Sequence, residues 1–299
     1  MTVLPPVPHV STETILKDSW NLLRRNWSLI TPMLLSGLAF GVAIVAVLVA
    51  VASAGLFVPH PSDRAIATFV IAYGVLFVAG LFVTAIAVDA TFGMADAAWT
   101  TGKGTFAAGG AAIRTRFFAT LVAFLGYAGA VLCAVVLVIP TLGVALLAFP
   151  LITMYVLPAV VVGGSGGFGG FRESWRLVRR YFGTSVVAML ILYAFQYLIS
   201  TVFSFALMPL EFGLMAAAGT DGKPSYAALG GLGILLLIVV LVMLVVLFAY
   251  QAYFTLALTG LYRWLHARAD DEDRAAAAGV PLLATAAVPE PPAPPATLG

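Results

Sequence analysis

From Gly230 to Leu261 the chain runs for 32 residues without one Asp, Glu, Lys, Arg or His. As a helix rising 1.5 Å per residue, this run would span about 48 Å, well beyond a hydrocarbon core of about 30 Å, so it must tilt or emerge at one end. Five further runs, near 31–58, 65–88, 117–139, 143–162 and 182–209, also lack ionisable residues between their ends. Six such runs predict an all-α polytopic membrane bundle of six transmembrane helices, because a span in lipid must satisfy its backbone hydrogen bonds internally. Composition agrees: 62% of residues are hydrophobic and 9% charged, where a soluble domain has about a quarter charged. The formal net charge of +2 gives no global attraction for nucleic acid, which is not expected as a partner. One cysteine, Cys133, excludes an internal disulfide framework and a cysteine-rich zinc site.

A repeat constrains the chain further. Leu16, Lys17, Asp18, Ser19, Trp20, Asn21, Leu22, Leu23, Arg24, Arg25, Asn26 and Trp27 return 155 positions later as Phe171, Arg172, Glu173, Ser174, Trp175, Arg176, Leu177, Val178, Arg179, Arg180, Tyr181 and Phe182. Large apolar residues at 16, 20, 23, 27 and at 171, 175, 178, 182 follow the i, i+4, i+7, i+11 spacing of one helical stripe, with basic residues beside it. Such helices lie along a membrane surface, stripe down and arginines toward phosphates. Trp20, Arg24, Arg25, Trp175, Arg176, Arg179 and Arg180 are therefore the candidates for contact with lipid headgroups, an attraction worth about 1 kcal/mol per basic residue when the lipid is anionic. They serve equally as interfacial anchors and topology signals. Phe106, Gly110, Ile113 and Phe117, flanked by Arg114 and Arg116, form a degenerate third copy without Ser–Trp.

Taken in order, residues 1–11 read as an extended arm, 12–265 as the membrane domain and 266–299 as a disordered acidic and proline-rich tail. Ala52–Ser53–Ala54 resembles a signal-peptidase site, but the apolar run before it is too long for a signal peptide, and cleavage is not expected. Lys17, Arg24, Arg25, Lys103, Arg114, Arg116, Arg172, Arg176, Arg179, Arg180, Arg263, Arg268 and Arg274 fall on one side of a six-span arrangement, and only Arg64 and Lys223 on the other. The positive-inside rule then places both termini in the cytoplasm of a bacterial-type plasma membrane, crossed several times. The repeated helix precedes spans one and five from the same side, so the two or three interfacial helices belong to parallel repeats.

Catalytic signatures are weak. Gly163–Gly164–Ser165–Gly166–Gly167 has the form of a nucleophile elbow, which requires a strand before it and a histidine base. His9, His60 and His266 fall in the arm, an outer loop and the tail. The loop also contains G-x-G-x-x-G, but a membrane span precedes it where a dinucleotide fold needs a strand. A flexible glycine hinge is the expected reading, with no catalytic residue, metal set or cofactor. Asp89 is the one acidic residue near a span and is expected at a solvated helix end. Tyr193, Gln196, Tyr197, Ser200, Tyr250 and Gln251 form an intramembrane polar cluster, expected to serve interhelical hydrogen bonding before any substrate path.

Leu157–Pro158–Ala159–Val160–Val161–Val162, the glycines after it and Arg172–Glu173–Ser174–Trp175–Arg176–Leu177–Val178–Arg179–Arg180, set in a six-span layout, resemble the membrane domain of bacterial glycerophosphoryl diester phosphodiesterases and its stand-alone relatives. The likeness covers roughly residues 12–265. In those enzymes the chemistry belongs to a separate soluble barrel with metal-binding carboxylates and histidines. Residues 1–299 contain no such barrel, so the resemblance implies no activity or catalytic residue for them. The expected function is a non-enzymatic membrane-embedded accessory or organising component with lipid-facing surface helices. Its expected partners are membrane lipids, anionic ones included, and a membrane protein or a second copy of the chain. The alternative is a transporter or permease-like component using the cluster of spans five and six.

Overall fold

The computed structural model describes residues 11–54, 62–141, 143–218 and 226–277, and all regular structure among them is helical. In chain order the helices are α1 (Thr12–Arg25), α2 (Thr31–Ser53), α3 (Asp63–Thr101), α4 (Phe106–Leu137), α5 (Val144–Thr153), α6 (Val156–Val161), α7 (Gly167–Arg180), α8 (Phe182–Ala218) and α9 (Tyr226–Ala277), with a 3₁₀ turn at Trp27–Ile30. Among the described residues, five segments are long and apolar enough to cross a membrane: Trp27–Ser53, Asp63–Thr101, Phe106–Leu137, Phe182–Pro209 and Gly233–Ala277. The chain is a multi-pass helical membrane protein. Only 6 to 17% of the most apolar window of each segment is buried by protein, as expected of surfaces that meet lipid.

Local chemistry accounts for several helix ends. Ser11 caps α1 by accepting from the Thr14 amide at 3.2 Å, and Ser62 caps α3 by accepting from the Ala65 amide at 3.2 Å. α3 stops at Gly102, whose φ of 78° is left-handed. The two copies of the repeat fold alike: α1 and α7 each have 14 residues, and each ends in the same kink. Asn26 has φ −132° and ψ 58°, and Tyr181, its counterpart, has φ −121° and ψ 48°.

Four sequence expectations change. The fourth apolar run is not one continuous helix but two short ones, α5 and α6, broken at Met154 and Tyr155. Pro158 lacks the N–H that would bond to the Met154 carbonyl, so the ladder cannot continue through the break. The degenerate third copy is not a separate interfacial helix, because residues 106–117 form the first turns of α4. α3 does not stop at Asp89 but continues for another 12 residues. Residues 266–277, expected to belong to the disordered tail, are helical, since α9 runs to Ala277. Residues 1–10, 55–61, 142, 219–225 and 278–299, which include all of the arm but Ser11, the loop histidine His60, Lys223 and the proline-rich end, lie outside the described residues.

The protein core sits at one end of the bundle. It is formed by α3 between Ala85 and Ala98, α9 between Tyr250 and Ala269, and the inner faces of α1, α6 and α7. Polar ties hold the same end together. The Asn26 side chain donates to the Gly102 carbonyl at 3.2 Å and accepts from the Gly104 amide at 2.9 Å, pinning the α1 kink to the α3–α4 turn. Trp99 donates from Nε1 to the Leu256 carbonyl at 2.8 Å. Arg263, 5% exposed, pairs with Asp96, joining α9 to α3. This is also the end that carries most of the arginines.

Candidate functional site

The stripe expected to lie on the membrane divides in two. Ile15, Leu16, Ser19 and Leu23 of α1, and Ser174, Leu177 and Val178 of α7, are buried against the bundle. Trp20 and Trp175 are 51% and 49% exposed, and Trp27 and Phe182 are exposed too. The inward face is therefore centred on the serines, one position before the tryptophans, and the rings sit at the exposed edge. A half-exposed indole beside arginines suits an interface, where its apolar body and polar N–H meet different solvents.

The paired serines do different work. Ser19 donates to the Ile15 carbonyl of its own helix at 2.7 Å. Ser174 donates to the Ile152 carbonyl at 2.6 Å and accepts from the Tyr155 amide at 3.2 Å, taking the place of helix bonds that the α5–α6 break interrupts. α7 is thus fastened to the broken helix by a backbone splint. The glycine loop before it is not a free hinge. A Cβ on Gly167 would come within 2.6 Å of the Ala119 carbonyl oxygen, so that glycine exists for close packing. Gly164 adopts φ 74°, and its carbonyl accepts from Arg116 at 3.1 Å.

Outside this packed face, α7 borders an open groove of about 730 Å³ whose lining includes Arg172, Trp175, Arg176, Arg179 and Arg180. The four arginines fall into two classes. Arg180 donates to Glu272 at 2.9 Å and to Asp273 at 2.6 Å, and Arg176 lies 3.6 Å from Asp270 and 3.7 Å from Asp273. Arg172 and Arg179 are exposed and make no ion pair among the described residues. Arg24 and Arg25 of α1 are likewise exposed and unpaired among the described residues. Glu173 sits between helices, 2.9 Å from His266 Nδ1 and 2.9 Å from Arg176. Burial pushes its carboxyl up, but the His266 hydrogen bond and the Arg176 charge outweigh that and hold it below the ordinary value of 4.5. Tyr181 adds a hydrogen bond to Glu272 at 3.0 Å, and its ring lies 5.3 Å from the Arg268 guanidinium.

His266, Asp270, Glu272 and Asp273 were missed as site residues because they stood in a segment read as tail. An acidic run and an arginine run of matching length in one chain are the signal that could have paired them. Exposed ion pairs contribute at most about 1 kcal/mol each. That is the same size as the attraction of one arginine to an anionic membrane surface, also about 1 kcal/mol.

In the polar cluster of α8 and α9, one side-chain hydrogen bond joins the two helices among the described residues. Tyr250 donates to the Leu192 carbonyl at 2.6 Å, a buried interhelical bond of the kind expected. Tyr193, Tyr197 and Ser200 are exposed on α8, and Tyr197 and Ser200 line an open surface groove with Ser204 and Met208. Gln196 and Gln251 are half-buried. Asp89 is the reverse case. It is fully buried, accepts from Thr120 Oγ1 at 2.5 Å through Oδ1, and its Oδ2 has no partner among the described residues. The solvated helix end fails because α3 carries on through this position into the core. Among the described residues no group of three or more His, Cys, Asp or Glu side chains could hold a metal ion. Against protein-family models, curated proteins and solved structures, the chain has no match.

Proposed function

We propose that this protein is a six-span, non-enzymatic component of a bacterial-type plasma membrane, with both termini cytoplasmic, that organises or assists membrane processes by holding anionic lipid at its basic end. The observation that carries this reading is the groove on α7, where Arg172 and Arg179, unpaired among the described residues, flank half-exposed Trp175 just ahead of the apolar helix α8. A phosphate placed there meets guanidinium groups while its acyl chains meet exposed rings and the apolar face of α8. α1 offers a smaller version in Trp20, Arg24 and Arg25, and we take α1 and α7 as heads of parallel repeats. The resemblance to phosphodiesterase membrane domains fits a helical partner module without chemistry of its own. Native mass spectrometry of the protein released from mixed-lipid nanodiscs tests this. Arg172→Gln with Arg179→Gln should lower retained anionic lipid and leave zwitterionic lipid unchanged; equal loss of both, or of neither, refutes it.

A second reading, transport, rests on Asp89 and not on the α8–α9 cluster, because a buried carboxylate with an unpartnered oxygen is costly in a membrane and suits an ion or proton relay. Reconstituted flux that is abolished by Asp89→Asn but unaffected by Gln251→Leu would favour it.

A further inference from the structure

The last two turns of α9 differ from the rest of that helix. Leu265 and Ala269 are fully buried, but no residue from 270 to 277 is. What holds this end against α7 is polar: the pairs of Asp270, Glu272 and Asp273 with Arg176 and Arg180, and the Tyr181 hydrogen bond to Glu272. Asp271 belongs to the same turn but pairs with Arg274 at 2.9 Å and makes no ion pair with α7. Three carboxylates are thus laid on two of the arginines that border the groove, in the position an anionic headgroup would take.

We propose that Asp270, Glu272 and Asp273 form an internal competitor for the anionic-headgroup site of α7, so that the end of α9 and an anionic phospholipid exclude each other at Arg176 and Arg180. The proposal rests on the lipid reading above and adds its regulation. Carboxylate and phosphate oxygens accept the same charge-assisted bonds from a guanidinium, so one can replace the other. The ion pairs are open to water, hence reversible and weakened by salt. Arg172 and Arg179 stay uncommitted in either state and supply a first capture point. The occupant is a lipid and not a free phosphate, because Trp175 and Phe182 flank the arginines with exposed apolar surface at the head of α8.

The test uses the full chain in phosphatidylcholine nanodiscs containing a small share of phosphatidylglycerol, with bound lipid read by native mass spectrometry. Asp270→Asn, Glu272→Gln and Asp273→Asn together should raise phosphatidylglycerol retention by about fivefold, as Arg180 is released and Arg176 keeps only its pair with Glu173. Asp271→Asn, which removes a neighbouring charge that makes no pair with α7, should not. The gain should vanish when Arg176→Gln and Arg180→Gln are added. A wild-type protein that prefers phosphatidylglycerol, with no gain in the triple variant, overturns the competition and leaves the lipid reading standing. A gain that survives loss of both arginines also overturns it. Absence of any preference in wild type and triple variant alike overturns both. Soluble glycerol phosphate that displaces the lipid at comparable concentration would show a free-phosphate site and overturn the choice of occupant. An independent readout is the distance between spin labels at Phe168→Cys and Ala276→Cys in a Cys133→Ala background. It should lengthen when phosphatidylglycerol is added, and an unchanged distance in protein shown to bind that lipid refutes the displacement.

Discussion

Removing the hydroxyl of Ser174 should cost far more than removing that of Ser19, although the two residues occupy the same position of the repeat. Ser174 satisfies the Ile152 carbonyl and the Tyr155 amide at a break in the helix ladder, inside the core. Ser174→Ala leaves both without that partner, and an unpaired buried polar group costs about 1–3 kcal/mol, so the loss should reach about 2–5 kcal/mol. Ser19 donates only to the Ile15 carbonyl of its own helix, which the ladder already serves. Ser19→Ala should therefore cost less than about 1 kcal/mol. Unfolding in mixed micelles by titration with sodium dodecyl sulfate, followed by tryptophan fluorescence, measures both. Hydrogen exchange adds position: the Tyr155 amide should exchange faster in Ser174→Ala and not in Ser19→Ala. Equal destabilisation by the two variants, or an unchanged Tyr155 amide in Ser174→Ala, would refute the splint.

Three further outcomes follow from buried or shared charges. Arg263→Met, which strands Asp96 at the α3–α9 junction, should cost about 3 kcal/mol, while Arg263→Met with Asp96→Leu should recover most of it, since replacing both partners removes the uncompensated charge; micelle unfolding of the cycle checks this, and an unrecovered double variant contradicts it. Glu173, held below 4.5 in the fold, contributes stability that is fully present above that pH and is lost as pH falls through the depressed folded value. The thermal-stability gap between wild type and Glu173→Gln should be constant above pH 4.5 and close below it, and a gap that widens on acidification would reverse the sign argument. Thr120→Val should destabilise by about 2 kcal/mol by leaving Asp89 with neither oxygen partnered, and Asp89→Leu added to it should restore stability; a thermal-shift series in detergent decides.

Apolar periodicity in the sequence was enough for the helical class and the long apolar helices, because burial in lipid depends on composition over many residues. The Ser11 cap and the glycine at 102 likewise follow local rules. What escaped depends on partners far apart in sequence. Arg180 meets Glu272 and Asp273, about 90 positions on, and these pairs help keep α9 helical through residues whose composition alone reads as tail. Asp89 could not be placed without knowing that α3 continues into the core. The tryptophans marked the exposed edge of the stripe, but which flank faced protein was set by the serines, and Ser174 matters only because a helix elsewhere is broken opposite it. The glycines after α6 signalled freedom by composition, whereas at Gly167 the neighbouring α4 backbone leaves no room for a side chain.

The confinement of the core to one end has a mechanical consequence. Long helices that bury most of their core at the basic ends, with isolated buried residues such as Val51 and Ala65 at the other, can splay or tilt there with little loss of contact. A bilayer thinner or thicker than the spans exerts a mismatch cost of fractions of a kcal/mol per Å. Here that strain is absorbed where the helices are already bathed in lipid, while the junctions of α1, α3, α7 and α9 keep their geometry. The protein should therefore tolerate membranes of differing thickness, and its basic face should hold one shape in all of them.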